Sequence, residues 1–88
     1  MRRVTIYSND NCVYCRLAKR LLAERGIAYR EVNLAMDGEG RRALSERTGS
    51  LTFPQIVVDD VPIGGYDELR RLVASGELDA AASLERAA

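Results

Sequence analysis

The amino-acid sequence predicts an α/β domain in which a mixed four-stranded sheet is flanked by helices on both faces. Three observations lead to this prediction. A β-branched segment, an amphipathic segment and a second extended segment open the chain, in the order of a right-handed parallel βαβ unit. Two later apolar segments are joined by Asp59-Asp60 alone, and strands joined by two residues must be antiparallel. Further helical segments precede and follow that pair, so helices are available for both faces of the sheet.

The first half of the chain supplies the parallel unit. Residues 3–7 are rich in β-branched and aromatic side chains and predict the first strand. The polar residues 8–11 predict a turn and offer N-cap candidates for the helix that follows. In residues 13–25 the apolar side chains recur at helical spacing, and Gly26 is suited to the position just after the helix. Residues 27–34 alternate sufficiently to predict the second strand.

The second half of the chain supplies the remaining helices and the antiparallel pair. A second helix is predicted to open at an Asp-Gly pair and to span about residues 37–47. A buried strand is predicted over residues 53–58 and a short strand over 61–63. A Gly-Gly pair then breaks the chain before a helix over residues 66–74. The Ala-rich residues 77–88 predict a last helix that frays toward its end.

Residues 1–88 are predicted to form a single domain, because a chain of this length can bury roughly two-thirds of its unfolded surface in one small core. Thirteen basic residues balance thirteen acidic ones, which removes the net charge expected of a general nucleic-acid or membrane-surface binder. A small basic patch, such as one at the adjacent Arg41 and Arg42, is still compatible with that balance. The absence of histidine removes the commonest general base and the commonest metal ligand.

The hydropathy of the chain predicts neither a membrane span nor a secretory signal. No apolar run approaches the ~20 residues that a transmembrane helix needs. Residues 1–7 contain two arginines but only a short β-branched run, whereas a signal peptide needs a longer apolar stretch and a cleavage site.

A disulfide between two cysteines three positions apart would contribute only roughly 2 kcal/mol of stability, so stability is a poor reason for this pair. We therefore expect a cytoplasmic protein in a reducing compartment.

A Cys-x-x-Cys motif, Cys12-Val13-Tyr14-Cys15, stands between the first strand and the first helix. In this position the motif is a strong indication of a redox-active dithiol. Residues three apart on a helix lie near the separation that a disulfide requires, so the pair can open and close with little backbone movement. Free N–H groups at the helix N-terminus stabilise an anion and lower the pKa of a thiol there. Cys12 is therefore predicted to be the nucleophile and Cys15 the resolving thiol, with Arg16 and Lys19 adding positive charge nearby.

Three other interpretations of the cysteine pair stay open at this point. The pair could be half of a zinc site, although that site would need two more soft ligands and the chain has no other cysteine and no histidine. It could be a structural disulfide, although so short a loop gains little stability. It could also be two inert cysteines buried at the start of a helix.

The sequence resembles the dithiol glutaredoxins of the bacterial Cys-x-Tyr-Cys type over nearly its whole length. Four signals agree with that family in order and spacing: Cys12-Val13-Tyr14-Cys15 with Ala18-Lys19 behind it, Thr52-Phe53-Pro54, Gly64-Gly65, and Asp67. Each signal alone is modest, and together they are specific. The resemblance implies a thioredoxin-like fold and a thiol–disulfide oxidoreductase that uses glutathione as its reductant.

The resemblance also implies a set of glutathione-binding residues. The backbone of Phe53 would pair with the cysteine of glutathione, and Pro54 after it would form a cis peptide bond beside the active cysteines. Gly64-Gly65 would allow the ligand to approach the backbone closely. The N–H groups of Tyr66 and Asp67 would bind the γ-glutamyl carboxylate, and the Asp67 carboxylate would face the γ-glutamyl ammonium. Plain structural roles, a strand-start proline and a helix N-terminal acid, are the alternatives for Pro54 and Asp67.

The sequence departs from the family pattern at two positions. Many members place a lysine three residues before the first cysteine, where it can meet the glycine carboxylate of glutathione, and this chain has Asn9 there. Arg41 matches another family position that contacts this carboxylate, so we expect it to supply the charge unless it lies on a solvated helix face. Val13 stands where proline is usual, which removes a fixed φ from the first helical turn. Tyr14 matches the active-site tyrosine, against which the tripeptide could lie.

The resemblance leads to the hypothesis of a monomeric enzyme whose partners are glutathione and proteins that are glutathionylated or disulfide-bonded. The rival redox enzyme is a related protein reduced by thioredoxin reductase, which the glutathione-type residues disfavour. A rival of another class is an iron–sulfur carrier, because members without the proline at the Val13 position can hold a 2Fe–2S cluster between two subunits with two glutathiones. A non-catalytic binding module is the third, and it would not need both cysteines.

Overall fold

Seven elements follow one another along residues 3–78, the part of the chain that the computed structural model describes. Their order confirms the predicted β-α-β-α-β-β-α succession. The elements are β1 (Val4–Ser8), α1 (Val13–Glu24), β2 (Arg30–Asn33), α2 (Gly38–Thr48), β3 (Gln55–Val58), β4 (Val61–Gly64) and α3 (Tyr66–Ala74). Glu77 and Leu78 lie in a turn, and the rest of the predicted Ala-rich helix lies outside the described residues.

Two strands are shorter than predicted, in each case at their start. β2 begins at Arg30 rather than at residue 27, because Ile27 is buried in the core and its N–H donates a hydrogen bond to the Leu22 carbonyl at the end of α1. β3 begins at Gln55 rather than at Phe53, because the Phe53–Pro54 peptide bond is cis and Pro54 has no N–H to donate to a ladder.

The sheet has the strand order β2-β1-β3-β4, with β1 and β3 at its centre. β1 pairs in parallel with β2, which places Tyr7 opposite Val32. It pairs in antiparallel fashion with β3, which places Ile6 opposite Ile56, and β3 pairs in antiparallel fashion with β4. The structure thus confirms the mixed four-stranded sheet, with the parallel pair on one side and the predicted antiparallel pair on the other.

The main core lies between one face of the sheet and the helices α1 and α3. It gathers buried apolar side chains from β1, β3, both helices and the turns that follow them: Val4, Ile6, Ala18, Leu22, Ile27, Ile56, Val58, Leu69, Val73 and Leu78. Alternate residues of β1 and β3 reach this core because successive side chains of a strand point to opposite faces. The core therefore fixes α1, and with it the cysteine motif at its N-terminus, against the central strands.

Helix α2 crosses the opposite face of the sheet. At its start the Arg41 guanidinium donates to the carbonyls of Leu34 and Ala35, which follow β2. In its last turn the Arg47 guanidinium donates to the carbonyl of Asp60, in the turn after β3. The helix begins at the Asp37 N-cap, whose carboxylate accepts from an N–H in the first turn as predicted for an Asp-Gly start. Helices therefore flank both faces of the sheet.

The turn between β3 and β4 consists of the two predicted residues. Asp59 and Asp60 have φ values of 51° and 67°, the pair of left-handed conformations of a two-residue hairpin turn. The Asp59 carboxylate accepts from the Arg3 N–H at 2.7 Å, and the Asp59 N–H donates to the Arg3 carbonyl at 2.9 Å. These bonds fasten the start of the described chain to the hairpin. No helix within residues 3–78 has both the length and the apolar character needed to cross a membrane.

A partly exposed polar network joins β1, α1 and β2. The Ser8 hydroxyl, at the end of β1, donates to the Glu31 carboxylate of β2 at 2.7 Å. The Lys19 ammonium of α1 donates to the same carboxylate oxygen at 2.9 Å. The hydrogen bond from Ser8, followed by that from Lys19, holds the pKa of Glu31 below its ordinary value of 4.5. The network ties the helix that carries the cysteines to both parallel strands.

The lowered pKa of Glu31 predicts a loss of stability in acid. A carboxylate whose pKa is lower in the folded state stabilises the protein above its unfolded pKa of 4.5, and this contribution is lost as the pH falls through the folded pKa. Glu31→Gln should lower the free energy of unfolding at neutral pH and should flatten its decline below pH 4.5. Urea unfolding between about pH 7 and pH 3 measures both effects. Glu46→Gln, on the exposed surface of α2, is the matched control and should leave the slope unchanged.

Candidate active site

The sulfur of Cys12 is the N-cap of helix α1. Cys12 has extended backbone dihedrals, and its Sγ accepts a hydrogen bond from the Cys15 N–H at 3.1 Å. The sequence predicted the N-cap among residues 8–11, and this prediction is wrong. The chain turns at Asn11, which has φ 54°, and the next residue, Cys12, takes the N-cap position. This position satisfies one of the free N–H groups at the start of the helix with the sulfur itself. A negative charge on Cys12 would lie at the positive end of the helix dipole.

Cys15 lies three residues after Cys12, in the first turn of α1, and a disulfide joins the two residues. The two residues form a disulfide across a Cα–Cα distance of 5.2 Å, within the range that disulfides adopt. Cys15 is only 2% exposed, whereas Cys12 is partly exposed. An incoming thiol or disulfide can therefore reach the first sulfur more readily than the second.

The charges near the motif differ from the expected set. Arg16 is exposed in the first turn of α1, as predicted. The Lys19 ammonium, which was expected to add positive charge near Cys12, forms an ion pair with the Glu31 carboxylate. The helix N-terminus and the exposed Arg16 therefore remain as sources of positive potential near Cys12.

A groove of about 330 Å³ lies beside the cysteine motif. Its walls come from the motif itself, from the segment before β3 and from the start of α3: Tyr14, Thr52, Phe53, Pro54, Gly65, Tyr66, Asp67 and Glu68. Six of the residues that the resemblance implied for glutathione binding are thus brought together in one place. The rings of Tyr14 and Tyr66 face each other across it, with centroids 5.9 Å apart.

The backbone around Gly65 shapes the floor of this groove. The Phe53–Pro54 bond is cis, as the resemblance implied, and a side chain on Gly65 would approach the Pro54 carbonyl oxygen to 3.4 Å. Gly64 has φ 119°, a conformation that favours glycine. The Gly65 N–H donates to the Glu68 carboxylate at 2.9 Å, which fixes the first turn of α3. The N–H groups of Tyr66 and Asp67 begin α3 and, as first-turn donors, have no acceptor within the helix.

A family model described as glutaredoxin matches residues 4–63. The chain belongs to the glutaredoxin family. It is 39% identical over 79 residues to glutaredoxin 3 of Escherichia coli, covering 90% of this chain and 95% of that protein. It is 42% identical over 82 residues to a glutaredoxin of Pseudomonas aeruginosa, covering 91% and 95% of the two chains. The solved buckwheat glutaredoxin–glutathione complex superposes with a TM-score of 0.77 at 28% identity, covering 88% of this chain and 73% of that one.

Family membership and the bonded cysteine pair identify this glutaredoxin as a thiol–disulfide oxidoreductase with a thioredoxin-like fold. The half-zinc interpretation has no further support within residues 3–78, where no group of three or more His, Cys, Asp or Glu side chains could hold a metal ion. The inert-thiol interpretation does not fit a partly exposed sulfur at a helix N-terminus that is already bonded to its neighbour.

A second cavity, of about 400 Å³, lies on the other side of Phe53. It is lined by polar and basic side chains with one exposed leucine: Asn9, Arg41, Arg42, Ser45, Ser50, Leu51, Phe53 and Gln55. Phe53 is shared between this cavity and the groove beside Tyr14. The resemblance implied that position 9 and Arg41 lie near the glycine carboxylate of glutathione. In the structure, Asn9 and Arg41 line the same cavity.

Part of the Arg41 guanidinium is already engaged in hydrogen bonds to the backbone. One nitrogen of its guanidinium, Nη1, donates to the Leu34 carbonyl at 2.6 Å and to the Ala35 carbonyl at 2.8 Å. The side chain is partly buried, whereas that of Arg42 is exposed. Arg41 therefore holds the segment after β2 against α2, and its remaining donors are those available to the cavity.

Two residues of the groove, Thr52 and Glu68, were not predicted as site residues. The spacing of Glu68, three residues after Gly65, is the signature of a helix-capping glutamate and could have identified it. The Ser8–Glu31–Lys19 network carried no local signal, because its members are 11 to 23 residues apart in sequence.

The pKa of Cys12 in the reduced protein is expected to lie well below the free-thiol value of about 8.5, because the helix N-terminus stabilises the thiolate. The rate of alkylation of the Cys15→Ser protein against pH reports this pKa. A second profile on the Cys12→Ser protein should give a higher value for the buried Cys15. A midpoint near that of a free thiol for Cys12 would contradict the assignment of the helix N-terminus as its activator.

Proposed function

We propose that this glutaredoxin is glutathione-dependent and that it reduces protein disulfides and protein–glutathione mixed disulfides through Cys12. One observation carries the proposal: Cys12 stands in the chain between Asn9, which lines the second cavity, and Tyr14, which lines the groove. Phe53 lines both. An extended tripeptide with a central thiol, lying past Phe53 with one end in each cavity, would bring its sulfur to Cys12.

The groove beside Tyr14 suits the γ-glutamyl end of glutathione. The N–H groups of Tyr66 and Asp67 begin helix α3, where a carboxylate is stabilised by the free donors and by the helix dipole. The Asp67 carboxylate would then meet the ammonium group. It lies 3.5 Å from the Arg70 guanidinium, and both side chains are more than half exposed, so this ion pair would yield readily to a ligand.

The central part of the tripeptide would lie along the segment before β3. An extended backbone can pair with the free N–H and C=O of Phe53 as an added strand would. The absence of a side chain on Gly65 leaves room beside the Pro54 carbonyl. The glycine carboxylate would then reach the second cavity, where we assign it to Arg41. The similarity to the buckwheat glutaredoxin–glutathione complex supports glutathione as the ligand.

The first route removes glutathione from a glutathionylated protein. The Cys12 thiolate attacks the glutathione sulfur, a Cys12–glutathione disulfide forms, and the substrate protein leaves as a thiolate that takes a proton from water. A second glutathione, as its thiolate, attacks the glutathione sulfur of this intermediate. Glutathione disulfide is released, and Cys12 returns as a thiolate. Cys15 takes no part in this route.

The second route reduces a disulfide within or between proteins. The Cys12 thiolate attacks one substrate sulfur and forms a mixed disulfide, and the other substrate sulfur leaves as a thiolate. Cys15 loses its proton and attacks Cys12, which forms the Cys12–Cys15 disulfide and releases the second substrate thiolate. Two glutathiones then reduce that disulfide and leave as glutathione disulfide. The short separation of the two cysteines suits this exchange.

The two routes predict different effects of the two cysteine substitutions. Cys12→Ser should abolish turnover in both, because the attacking thiolate is lost. Cys15→Ser should retain reduction of a glutathionylated peptide and should lose reduction of a protein disulfide. An assay with glutathione, glutathione reductase and NADPH measures both reactions with the respective substrate.

Equal losses for both variants in both assays would contradict this division of labour. Turnover with thioredoxin reductase and not with glutathione would contradict glutathione dependence. The rival cluster-carrier role predicts a coloured protein after anaerobic purification, which absorbance of the full chain tests directly.

Arg41 is predicted to carry glutathione affinity, since Asn9 replaces the usual lysine. A partly exposed charge-assisted contact with a carboxylate is worth about 1–3 kcal/mol when it is removed, so Arg41→Ala should raise the KM for glutathione roughly 5- to 100-fold. The increase should be smaller at high salt, where screening has already weakened the contact. Asn9→Lys should lower the KM.

Arg42→Ala is the matched control, because Arg42 lines the same cavity but is exposed. Since Arg41 also holds two backbone carbonyls, the melting temperature of each variant must be measured beside its KM. Arg41→Lys separates the two roles, because lysine keeps the charge without the guanidinium fork. Similar KM values for Arg41→Ala and Arg42→Ala, or a fall in melting temperature alone, would exclude Arg41 as the carboxylate ligand.

A further inference from the structure

A third cavity, here called the basic groove, lies on the α2 side of the sheet and has a volume of about 320 Å³. Its lining includes three arginines, two tyrosines and one acidic residue: Arg3, Arg30, Arg47, Tyr7, Tyr29 and Asp60. It shares no lining residue with the groove beside Tyr14 or with the cavity beside Arg41. Nothing in the thiol–disulfide chemistry accounts for it.

The basic groove runs along β1, with Arg3 at the end of the strand remote from the cysteines and Tyr7 nearer to them. Arg3 immediately precedes β1, whereas Ser8 ends this strand and leads to Cys12. Five residues of strand at about 3.3 Å each separate the two ends by roughly 17 Å. A small ligand held at the Arg3 end of the basic groove would therefore leave the active sulfur uncovered.

Each arginine is brought to the basic groove by a different element with a fixed backbone. Arg3 is fastened to the hairpin turn by two hydrogen bonds with Asp59. Arg30 lies opposite Thr5 in the parallel pairing of β1 and β2, which places both side chains on one face. The Arg47 guanidinium is oriented by its hydrogen bond to the Asp60 carbonyl at 3.3 Å. Three arginines thus reach one lining, from the residue before β1, from β2 and from α2.

The basic groove is locally positive although the whole chain is neutral. Three arginines and one acidic residue, Asp60, line it, and the Asp59 carboxylate lies beside the Arg3 backbone, so basic side chains still outnumber acidic ones. None of the three arginines forms an ion pair with an acidic side chain of residues 3–78. Like charges held close together are unfavourable, so an anion that enters the groove relieves their repulsion.

We propose that the basic groove binds a small ligand that carries two or more linked phosphate groups. Guanidinium groups bind phosphate oxygens in bidentate geometry. Three guanidiniums offer more hydrogen-bond donors than a single carboxylate can accept. The volume is at the lower end for small-molecule sites, which suits a compact anion. Tyr7 and Tyr29 are partly exposed and line the groove, and Tyr29 also packs against the core, so they offer hydroxyl groups to whatever carries the phosphates.

Titration of the full chain with pyrophosphate, ADP and adenosine, followed by calorimetry and by amide chemical shifts, tests this proposal. Pyrophosphate and ADP should bind at millimolar concentration or below, with shifts at Arg3, Arg30 and Arg47, and adenosine should not bind. Tighter binding of ADP than of pyrophosphate would show that the tyrosines hold an organic group, and equal binding would show recognition of phosphate alone. Binding should weaken as salt is raised.

Arg30→Ala and Arg47→Ala should each weaken binding about tenfold, as expected for loss of one charge-assisted contact. Both should keep full reductase activity, because neither residue lies in the active site. Arg25→Ala, an exposed arginine just after α1, is the matched control and should bind normally. Absence of binding at about 10 mM pyrophosphate, or equal weakening by Arg25→Ala, would overturn the proposal whatever the reductase assays show.

Discussion

The structure depends on one interaction, the hydrogen bond by which the sulfur of Cys12 caps helix α1. Helix N-caps are ordinarily oxygen atoms of Ser, Thr, Asp or Asn, which satisfy a free N–H and take no part in chemistry. Here the reactive atom holds that place, so the field that would stabilise an oxygen acts on the nucleophile instead. The core that packs α1 against β1 and the Ser8–Glu31–Lys19 network both serve to hold this helix end at the edge of the sheet.

The cavities around that sulfur follow from the order of the strands. β1 and β3 are neighbours and run in opposite directions, so the end of β1 that leads to Cys12 meets the start of β3, where Phe53 and Pro54 lie. The hairpin after β3 returns the chain to the same edge at Gly65, where α3 begins. Three helix and strand ends thus meet at one place although 53 residues separate Cys12 from Gly65 in sequence. A ligand in the groove contacts backbone from each of them, which explains why so much of its binding would use N–H and C=O groups.

The sequence carried the parts of this arrangement that have local signals. The periodicity of α1, the two-residue turn at Asp59-Asp60 and the bounds of α3 all follow from short-range patterns, and the structure confirms them. The cysteine roles rest on helix physics, whereas the groove residues came from resemblance alone. What the sequence could not supply depends on contacts between distant residues. Nothing beside Lys19 in sequence indicates its pairing with Glu31, and nothing near Arg41 indicates that two carbonyls after β2 occupy one of its nitrogens. The basic groove joins Arg3, Arg30 and Arg47, which only the sheet register and the crossing of α2 bring together.

The Cys12–Cys15 disulfide also has a consequence for how partners meet the protein. The thirteen basic side chains balance the thirteen acidic ones, and the chain contains no histidine. Opening the disulfide to a Cys12 thiolate therefore takes the molecule from a balanced charge to one extra negative charge, placed at the surface that substrates approach. The oxidised and reduced forms would then differ in electrophoretic mobility and in long-range attraction for charged partners. A charged partner would therefore experience a different electrostatic attraction to the oxidised and the reduced form before it contacts either sulfur.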